Sequence, residues 1–456
     1  MTKRNAHLES YIRSSRSHFE DLLSQMVETP SISSDPDRVK DINRMATLGM
    51  QSLKSFGAQA RLVKTGGYPA VSGGWQVGKQ YPTLTIYNHL DVQPAQEPEW
   101  RQEPFQFCKE GNRYRGRGTT DDKGPALTAL FAARYAVEQG VPLNIRFLWE
   151  LEEEIGSPNF QDALDQKTLV PRPDSVLISD TIWVSRQRPA VPTGLRGLLA
   201  AQLTLRTGTT DVHSGLTGGG ARNPLAELCE AVHACVDAQT GRVKIPGFYD
   251  HVVPPSPRDM KEFLSSGFEV ARFKKAYGLR SIRTEDRANL VKRIWAAPTF
   301  EVHGLVGGYS GPGVKTAVPP CGRLKISMRL VPNQQPQKIF SQLQAFIKKH
   351  NPDIHVECDE QLEPFQGITS GPYAEALRKA VHVGFSITPS FVREGGSIGA
   401  VKLMERAWKV PILFMGLSLP EHGYHAPNEF FDWAQASGGI RAFVEYFSQI
   451  AHMRDG

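Results

Sequence analysis

Apolar positions along the chain follow two kinds of pattern. Residues 8–26 carry an apolar stripe at helical spacing, which predicts an amphipathic helix. After this helix, apolar runs typical of strands alternate with helical patterns. Such alternation predicts a mostly parallel α/β sheet covered on both faces. The predicted strands are 83–87, 144–149, 175–178 and 411–415, and the predicted helices between and after them are 125–139 and 440–450.

The middle of the chain has a different pattern. Residues 323–330 alternate strictly between apolar and polar side chains, which predicts a strand with one buried face. Such strands, separated by helices, predict a smaller α/β domain with one exposed sheet face. Because the first pattern resumes afterwards, we expect this domain, 195–371, to be inserted between two parts of the first domain, 1–194 and 372–456. Residues 241–320 are rich in Gly and Pro and predict no clear element.

Composition narrows the class of protein. The 456 residues carry a net charge of only +6 without a continuous basic block, so nucleic acid is not an expected partner. The five cysteines form no Cys-x-x-Cys pair, which argues against a disulfide framework and favours a cytoplasmic location. No apolar run approaches the ~18 residues that span a bilayer, so no membrane association is expected.

Residues able to bind metal ions follow the apolar runs, and an acidic pair, Asp121-Asp122, precedes the helix predicted at 125. Each group alone is most simply a solvated loop or a helix cap. In open α/β sheets, however, the functional site lies outside the carboxyl ends of the strands, where all these groups can meet. The groups that follow the strands are His89 and Asp91, then Glu152, Glu153 and Glu154, then Asp180, and finally His425.

These residue types fit one chemistry. Histidines with several carboxylates, and without cysteine, suit zinc, manganese or cobalt. Two such ions that share a carboxylate and a bridging hydroxide form a common hydrolytic pair. A carboxylate outside the coordination shell can take the proton of the water and pass it to a leaving amine. The pattern therefore predicts a two-metal hydrolase.

Short motifs extend this pattern along most of the chain. They are His-Leu-Asp-Val-Gln-Pro at 89–94, Gly-Arg-Gly-Thr-Thr-Asp-Asp-Lys-Gly-Pro at 116–125, Glu-Glu-Ile-Gly-Ser at 153–157, Ile-Ser-Asp at 178–180, His-Ser-Gly at 213–215, Gly-Val-Lys-Thr at 313–316, Arg-Leu-Val-Pro-Asn at 329–333, Arg-Glu-Gly-Gly-Ser-Ile at 393–398 and His-Ala-Pro-Asn-Glu at 425–429. In this order they resemble the M20 family of metallopeptidases, and most closely its carnosinase-like branch, to which cytosolic non-specific dipeptidases belong. The resemblance implies a zinc-peptidase-like catalytic domain with a mixed, mostly parallel sheet and an inserted α/β lid that also dimerises.

The resemblance implies a ligand set for two metal ions. His89 and Asp180 would be the terminal ligands of one ion, and Glu154 and His425 those of the other. Asp121 would bridge both ions, and the family usually has a cis peptide bond after it. Zinc is the expected metal, and manganese or cobalt would suit the same donors.

Two further carboxylates of the cluster receive roles from the resemblance. Asp91 would orient the ring of the first ligand histidine, and Glu153 would be the general base. The acidic triplet leaves the register open, since Glu152 and Glu153 also form a pair. The Ile-Gly-Ser that follows the triplet favours Glu153 and Glu154.

The substrate-binding residues that the resemblance implies lie in and beside the inserted domain. His213 would reach from one subunit into the site of the other and polarise the substrate carbonyl. Thr316, Arg329 and Ser397 would hold polar groups of the substrate, and Arg329 lies on the polar face of its predicted strand, where it could grip a carboxylate. A homodimer that binds a short peptide is therefore expected.

Two residues depart from the family pattern, and alternatives stay open. Asn88 stands where glycine is common, and His422, where related dipeptidases often carry an acid, is a rival of His425 as ligand. Asp180, rather than glutamate, favours a dipeptidase or an aminopeptidase in this family. The nearest alternative is an amidohydrolase that deacylates N-acyl amino acids by the same mechanism, and an alternative of another class is a non-catalytic binding protein on the same fold.

Overall fold

The structure, a computed structural model, describes residues 3–453, with side chains from residue 6 onward. The helices are α1 Lys3–Val27, α2 Val39–Ser55, α3 Gly124–Glu138, α4 Phe160–Asp165, α5 Ser214–Thr217, α6 Pro224–Cys235, α7 Pro257–Ser265, α8 Val270–Ala276, α9 Arg287–Ala296, α10 Pro336–His350, α11 Pro372–Phe385, α12 Gly399–Trp408 and α13 Trp433–Ile450. The strands are β1 Gln59–Val63, β2 Ala70–Trp75, β3 Thr83–His89, β4 Cys108–Glu110, β5 Arg113–Arg115, β6 Asn144–Glu150, β7 Ser175–Ile178, β8 Ala190–Leu195, β9 Gly197–Arg206, β10 Val212–His213, β11 Glu301–Val306, β12 Ala317–Val318, β13 Cys321–Leu330, β14 His355–Leu362, β15 Phe365–Gln366, β16 Ser390–Glu394, β17 Ile412–Phe414 and β18 Phe430–Asp432. In this part of the chain, no helix has the length and apolar character needed to cross a membrane.

The larger sheet has six strands in the order β1-β2-β6-β3-β7-β17. Strands β6, β3, β7 and β17 run parallel, whereas β2 pairs antiparallel with β6, and the edge strand β1 pairs antiparallel with β2. Alternate side chains of β3 enter different cores: Ile86 packs with α1, α2, α3, α11 and α13, and Tyr87 packs with α4 and α12. The predicted α/β fold, with a mixed and mostly parallel sheet covered on both faces, is confirmed.

The smaller sheet lies between residues 197 and 362 and has the order β11-β13-β9-β14, with all neighbours antiparallel. Helices α6 and α10 cover one face, where Leu203 and Ile326 pack with Leu228 and Leu343. The opposite face is largely exposed, for example at Lys325. The strand expected at 323–330 is therefore present within β13, and the boundaries proposed for an inserted domain stay a prediction.

The stretch without a clear sequence pattern contains helices α7, α8 and α9. They share a small core of their own around Phe263 and Phe268. Helix α7 is tied to α11 by an ion pair between Glu262 and Arg378 at 3.1 Å, and Asp259 pairs with an arginine of β16 at 3.3 Å. The three helices are thereby held against the part of the chain that follows the smaller sheet.

Candidate metal centre and substrate cavity

Four parallel strands of the larger sheet end at the same edge. Strand β3 ends at His89, and β6 is followed by the helical turn Glu153–Ile155. Asp180 lies two residues after the end of β7, and the loop after β17 contains His425. The polar side chains of these segments therefore meet where the parallel strands end.

Asp121 lies between the two histidines of this edge. Its Oδ1 is 2.9 Å from Nε2 of His89, and its Oδ2 is 2.9 Å from Nε2 of His425. A second carboxylate approaches each ring: Asp180 Oδ2 is 3.8 Å from His89 Nε2, and Glu154 Oε2 is 3.2 Å from His425 Nε2. The Asp121–Asp122 peptide bond is cis. One carboxylate thus faces two different His–acid pairs, as a ligand shared by two ions would.

The donor atoms fit divalent metal ions. Ligand atoms of His89, Asp121 and Glu154 lie within 4.8 Å of one another, and those of His89, Glu153 and Asp180 do so too. Imidazole and carboxylate donors without cysteine suit zinc, manganese and cobalt. The second group includes Glu153, for which the sequence predicts a place outside the coordination shell.

The cluster concentrates buried negative charge. Burial raises the pKa of Glu154, and the charge of Asp121 raises it further. Burial also raises the pKa of Asp180, and it raises that of Glu153 well above the usual value. Burial acts on Asp121 in the same direction, but hydrogen bonds with the two histidines outweigh it and hold its pKa well below the usual value. Divalent cations would compensate this charge.

Asp91 lies against the rear of the His89 ring. Nδ1 of His89 is 3.0 Å from the main-chain oxygen of Asp91 and 3.5 Å from its Oδ1. These contacts leave Nε2 directed at Asp121. Gln93, two residues further on, donates from Nε2 to Glu154 Oε2 at 2.8 Å. The segment after β3 therefore orients one residue in each half of the cluster.

Of the three consecutive glutamates 152–154, the first points away from the metal cluster and the other two contribute to it. Glu152 Oε1 accepts hydrogen bonds from the main-chain amide of Tyr68 and from Nδ2 of Asn159, each at 3.0 Å. Its side chain is therefore engaged away from the cluster. Glu153 and Glu154 have oxygens within the two groups of metal-binding atoms. This is the register favoured by the residues that follow the triplet.

His422 is buried and does not join the cluster. Its Nδ1 lies 2.9 Å from Oγ1 of Thr120, and its Nε2 lies 3.3 Å from Oδ2 of Asp432. Both ring nitrogens are therefore engaged by the protein. His425, three residues later, is the histidine that faces Asp121.

Buried side chains hold the segment of the shared aspartate from two directions. Nδ2 of Asn88 donates to Asp122 Oδ2 at 2.7 Å, so the residue that replaces the usual glycine has a partner here. Glu429 accepts hydrogen bonds from the Thr120 amide at 2.8 Å, from the following amide at 3.1 Å and from Nη1 of Arg117 at 3.0 Å. The backbone position of the shared aspartate is thus fixed by distant parts of the chain.

A cavity of about 1230 Å³ opens beside the cluster. Glu153, Arg329 and Ser397 line it, and Nη1 of Arg329 donates to Ser397 Oγ at 3.2 Å. His213 and Thr316 are exposed at the β10–β12 pair and are not among the lining residues. Within one chain the structure therefore brings Arg329 and Ser397, but not His213 or Thr316, to the cavity.

The sequence did not predict a role for three other residues of the cavity, namely Arg196, Glu394 and Tyr424. The hydroxyl of Tyr424 donates to Asp180 Oδ1 at 2.5 Å. Glu394 Oε2 is buried and has no hydrogen-bond partner among the described residues. Burial, followed by the charge of Asp180, raises the pKa of Glu394 to about 8. Glu394 and Tyr424 lie in or beside motifs that carry the family resemblance, and that position is the only signal the sequence offers.

Residues 85–449 match the model of peptidase family M20/M25/M40. The chain belongs to the M20 peptidase family. It is 26% identical to the Beta-Ala-His dipeptidase of Rattus norvegicus, over 94% of this chain and 92% of the relative. It is 30% identical to the Cys-Gly metallodipeptidase of Candida albicans, over 94% and 93% of the two chains. Among solved structures, an M20 family metallo-carboxypeptidase from Sulfolobus solfataricus matches with a TM-score of 0.87 and 29% identity, over 94% of this chain and 98% of that one.

These similarities confirm the predicted family and the α/β fold. They also support the carnosinase-like branch, because the similar proteins include Beta-Ala-His dipeptidases and Cys-Gly metallodipeptidases. This M20 chain is therefore an enzyme of the metallopeptidase class.

Proposed function

We propose that this M20 enzyme is a two-metal dipeptidase that cleaves the peptide bond of dipeptides and other short peptides. The observation that carries the proposal is the position of Asp121, whose two oxygens each lie 2.9 Å from a different histidine. His89 and Asp180 would hold one ion, Glu154 and His425 the other, and Asp121 would hold both. Zinc suits these donors best, and manganese or cobalt would also fit.

The residues around the cluster would have different roles in the reaction. When bound, the metal pair activates water and polarises the scissile carbonyl. Glu153 would accept the proton of the attacking water and pass it to the leaving amine. Asp91 would keep Nε2 of His89 directed at its ion, and Tyr424 would hold Asp180 through the hydrogen bond to Oδ1.

Glu394 favours a substrate with a free amino group. A buried carboxylate oxygen without a partner is costly, and a substrate ammonium would supply both charge and donors. Dipeptides carry this ammonium, whereas N-acyl amino acids, the substrates of the alternative deacylase, do not. The names of the similar dipeptidases support the same choice.

Arg329 would bind the carboxylate at the other end of the substrate. Its guanidinium lines the cavity and is fixed by the hydrogen bond from Nη1 to Ser397. Burial lowers the pKa of Arg329, yet a guanidinium stays charged at neutral pH. A planar fork of donors is suited to a carboxylate.

A homodimer would complete the site. His213 and Thr316 are exposed outside the cavity of their own chain, so they would act at the cavity of a second copy. Leu216 and Val314 near them are 86% and 91% exposed, and exposed apolar side chains mark association surfaces. We take residues 195–371 as the inserted domain that dimerises, with 1–194 and 372–456 as the catalytic domain.

The free cysteines support the proposal that the enzyme is cytoplasmic. All five, Cys108, Cys229, Cys235, Cys321 and Cys358, are free thiols in the structure. Free thiols without disulfides are usual in a reducing compartment.

A substrate panel tests the proposed function. Metal-loaded enzyme is offered free dipeptides and N-acetyl amino acids with matching side chains, and release of free amino acid is measured. Turnover of the dipeptides is expected. Turnover of the acetylated compounds alone would favour the deacylase, and tight binding of peptides without turnover would favour a non-catalytic binding protein.

A further inference from the structure

Arg196 occupies the junction between β8 and β9 and lines the substrate cavity beside Arg329. Its Nε donates to the main-chain oxygen of Gly395 at 3.3 Å. A guanidinium has five N–H donors, and among the described residues only this one has a partner within the protein. The other four donors of this partly exposed arginine have no hydrogen-bond partner among the described residues.

The charge environment of Arg196 separates it from other arginines of the cavity. Three of the five arginines that line it are neutralised: Arg186 by Asp432 at 2.6 Å, Arg272 by Glu269 at 3.0 Å and Arg393 by Asp259 at 3.3 Å. Arg196 and Arg329, the remaining two, form no ion pair with any described carboxylate. They are also close enough for the charge of one to act on the other.

Burial, followed by the positive charge of Arg329, lowers the pKa of Arg196 to about 10. Two adjacent cations in a partly desolvated cavity repel each other, and an anion between them would remove that cost. Glu301 and Glu360 act on them electrostatically, but neither reaches ion-pair distance. The pair therefore lacks the counter-charge that the other cavity arginines have.

Ser397 and Gly395 hold the two guanidinium groups in place. Ser397 Oγ donates to the main-chain oxygen of Arg196 at 2.5 Å and accepts from Nη1 of Arg329 at 3.2 Å. Its single proton is therefore used by the protein, and its hydroxyl links the main chain of Arg196 to the guanidinium of Arg329. A Cβ at position 395 would lie 2.8 Å from Nη2 of Arg196, so glycine leaves room for the guanidinium.

We propose that Arg196 is a second guanidinium of the carboxylate subsite and that Arg196 and Arg329 together grip the carboxylate of the substrate. The inference rests on the proposed amide-cleaving function and deepens it. A carboxylate presents two oxygens with about four lone-pair directions, enough for two guanidinium forks. The paired site would select substrates with a free carboxylate over their amides or esters.

The test compares two substrates that differ only at the C-terminus, which is a free carboxylate in one and a neutral amide in the other. Steady-state kcat and KM are measured for the wild type and Arg196→Met on a dipeptide and on the same dipeptide as its C-terminal amide. Loss of a charge-assisted hydrogen bond should raise KM for the free carboxylate about 10- to 100-fold, with kcat nearly unchanged. KM for the amide should stay the same, and Arg196→Lys should fall between, since it keeps the charge without the fork.

Arg272→Met is the matched control, because it removes a cavity arginine that Glu269 already neutralises. It should change KM for both substrates equally or not at all. An equal loss on the acid and the amide in Arg196→Met would overturn the proposal, since it would show a purely structural role. If Arg196→Met fails to fold, Gly395→Ala displaces the guanidinium with the arginine retained, and the same acid-specific rise in KM is expected.

Failure of the proposed dipeptidase function is a separate outcome. N-acyl amino acids also carry the carboxylate, so the acid–amide comparison can use whichever class the wild type cleaves. If the wild type cleaves neither, calorimetric binding of the dipeptide and its amide replaces KM. An Arg196→Met variant that binds the acid as tightly as the wild type does would again contradict the proposal.

Discussion

The carboxylate of Asp91 accepts a hydrogen bond from the main-chain amide of Glu154 at 3.1 Å. Its other oxygen accepts from the amide of Glu153 at 3.3 Å. The residue that lies against the His89 ring therefore also fixes the loop that carries the proposed base and a proposed ligand. One buried side chain thus connects the histidine that ends β3 to this loop.

Glu153→Gln should retain the metal ions and lose activity. If Glu153 is the general base, its amide cannot accept the proton, and kcat should fall about 10²- to 10⁴-fold. Metal content by mass spectrometry and turnover of a dipeptide measure the two effects separately. Loss of one ion together with activity would instead make Glu153 a ligand, as its group with His89 and Asp180 would allow.

Glu152→Gln is the control for the register of the triplet. Its oxygen would still accept the hydrogen bonds from Tyr68 and Asn159, because a glutamine side chain keeps one carbonyl oxygen. Activity close to that of the wild type is expected. A loss as large as that of Glu153→Gln would move the base to position 152.

Glu394→Gln should weaken the binding of substrates with a free amino group. The neutral amide cannot pair with an ammonium, so KM for dipeptides should rise about 10- to 100-fold. The inhibition constant of an N-acetylated dipeptide should not change. Glu421→Gln, which alters a cavity residue already paired with Arg186, is the matched control. Equal effects on both compounds would argue against an ammonium subsite at Glu394.

Asp432 should contribute stability that is lost in acid. It is paired with Arg186 at 2.6 Å and with His422 at 3.3 Å, and it caps α13 through the Gln435 amide at 2.9 Å. Burial opposes its ionisation, but the hydrogen bonds with His422 and Arg186 outweigh burial and hold its pKa well below the usual value. A depressed pKa stabilises the fold above the unfolded-state pKa of ~3.9, and the contribution declines as pH falls below that value.

Asp432→Asn should therefore lower the free energy of unfolding by about 2–3 kcal/mol at neutral pH, and by less as the pH falls below ~3.9. Urea unfolding of both proteins at pH 7 and pH 3 measures the difference. If Asp432→Asn lowered the free energy of unfolding by the same amount at pH 7 and pH 3, the ionised carboxylate would not be the source of the stability.

Two inactive variants should restore activity when their subunits mix. His213→Ala removes the residue proposed to act in the second copy, and Glu153→Gln removes the proposed base within its own site. A mixed dimer would contain one site with both residues intact. Random mixing in equal amounts should therefore recover about a quarter of wild-type activity. No recovery, with mixed dimers demonstrated by native mass spectrometry, would place His213 in its own chain's site.

Much of the fold follows from local patterns. The apolar run of β3 ends in His89, and parallel strands bring such ends together, so the metal cluster could be predicted from the sequence. His422 and His425 could not be separated by spacing alone. Only the packed loop shows that His422 is buried against Asp432 while His425 faces Asp121.

Other features depend on packing that no short pattern reports. Helices α7–α9 share a small core of their own, and each has only seven to ten residues, which is too short for a clear helical periodicity. Arg196 is a single arginine between two strands, and its significance comes from Arg329, which lies far away in the sequence. The proposed roles of Arg196 and Glu394 rest on polar atoms without partners among the described residues, which only the packed structure shows.

The most direct test of the two-metal dipeptidase is a titration of metal-free enzyme with zinc while dipeptide hydrolysis is measured. We expect no turnover without metal and a plateau at two ions bound per chain. Asp121→Asn should weaken the binding of both ions, because this carboxylate would bind both. Full turnover by the metal-free protein, or a plateau with a single ion bound, would contradict the proposal.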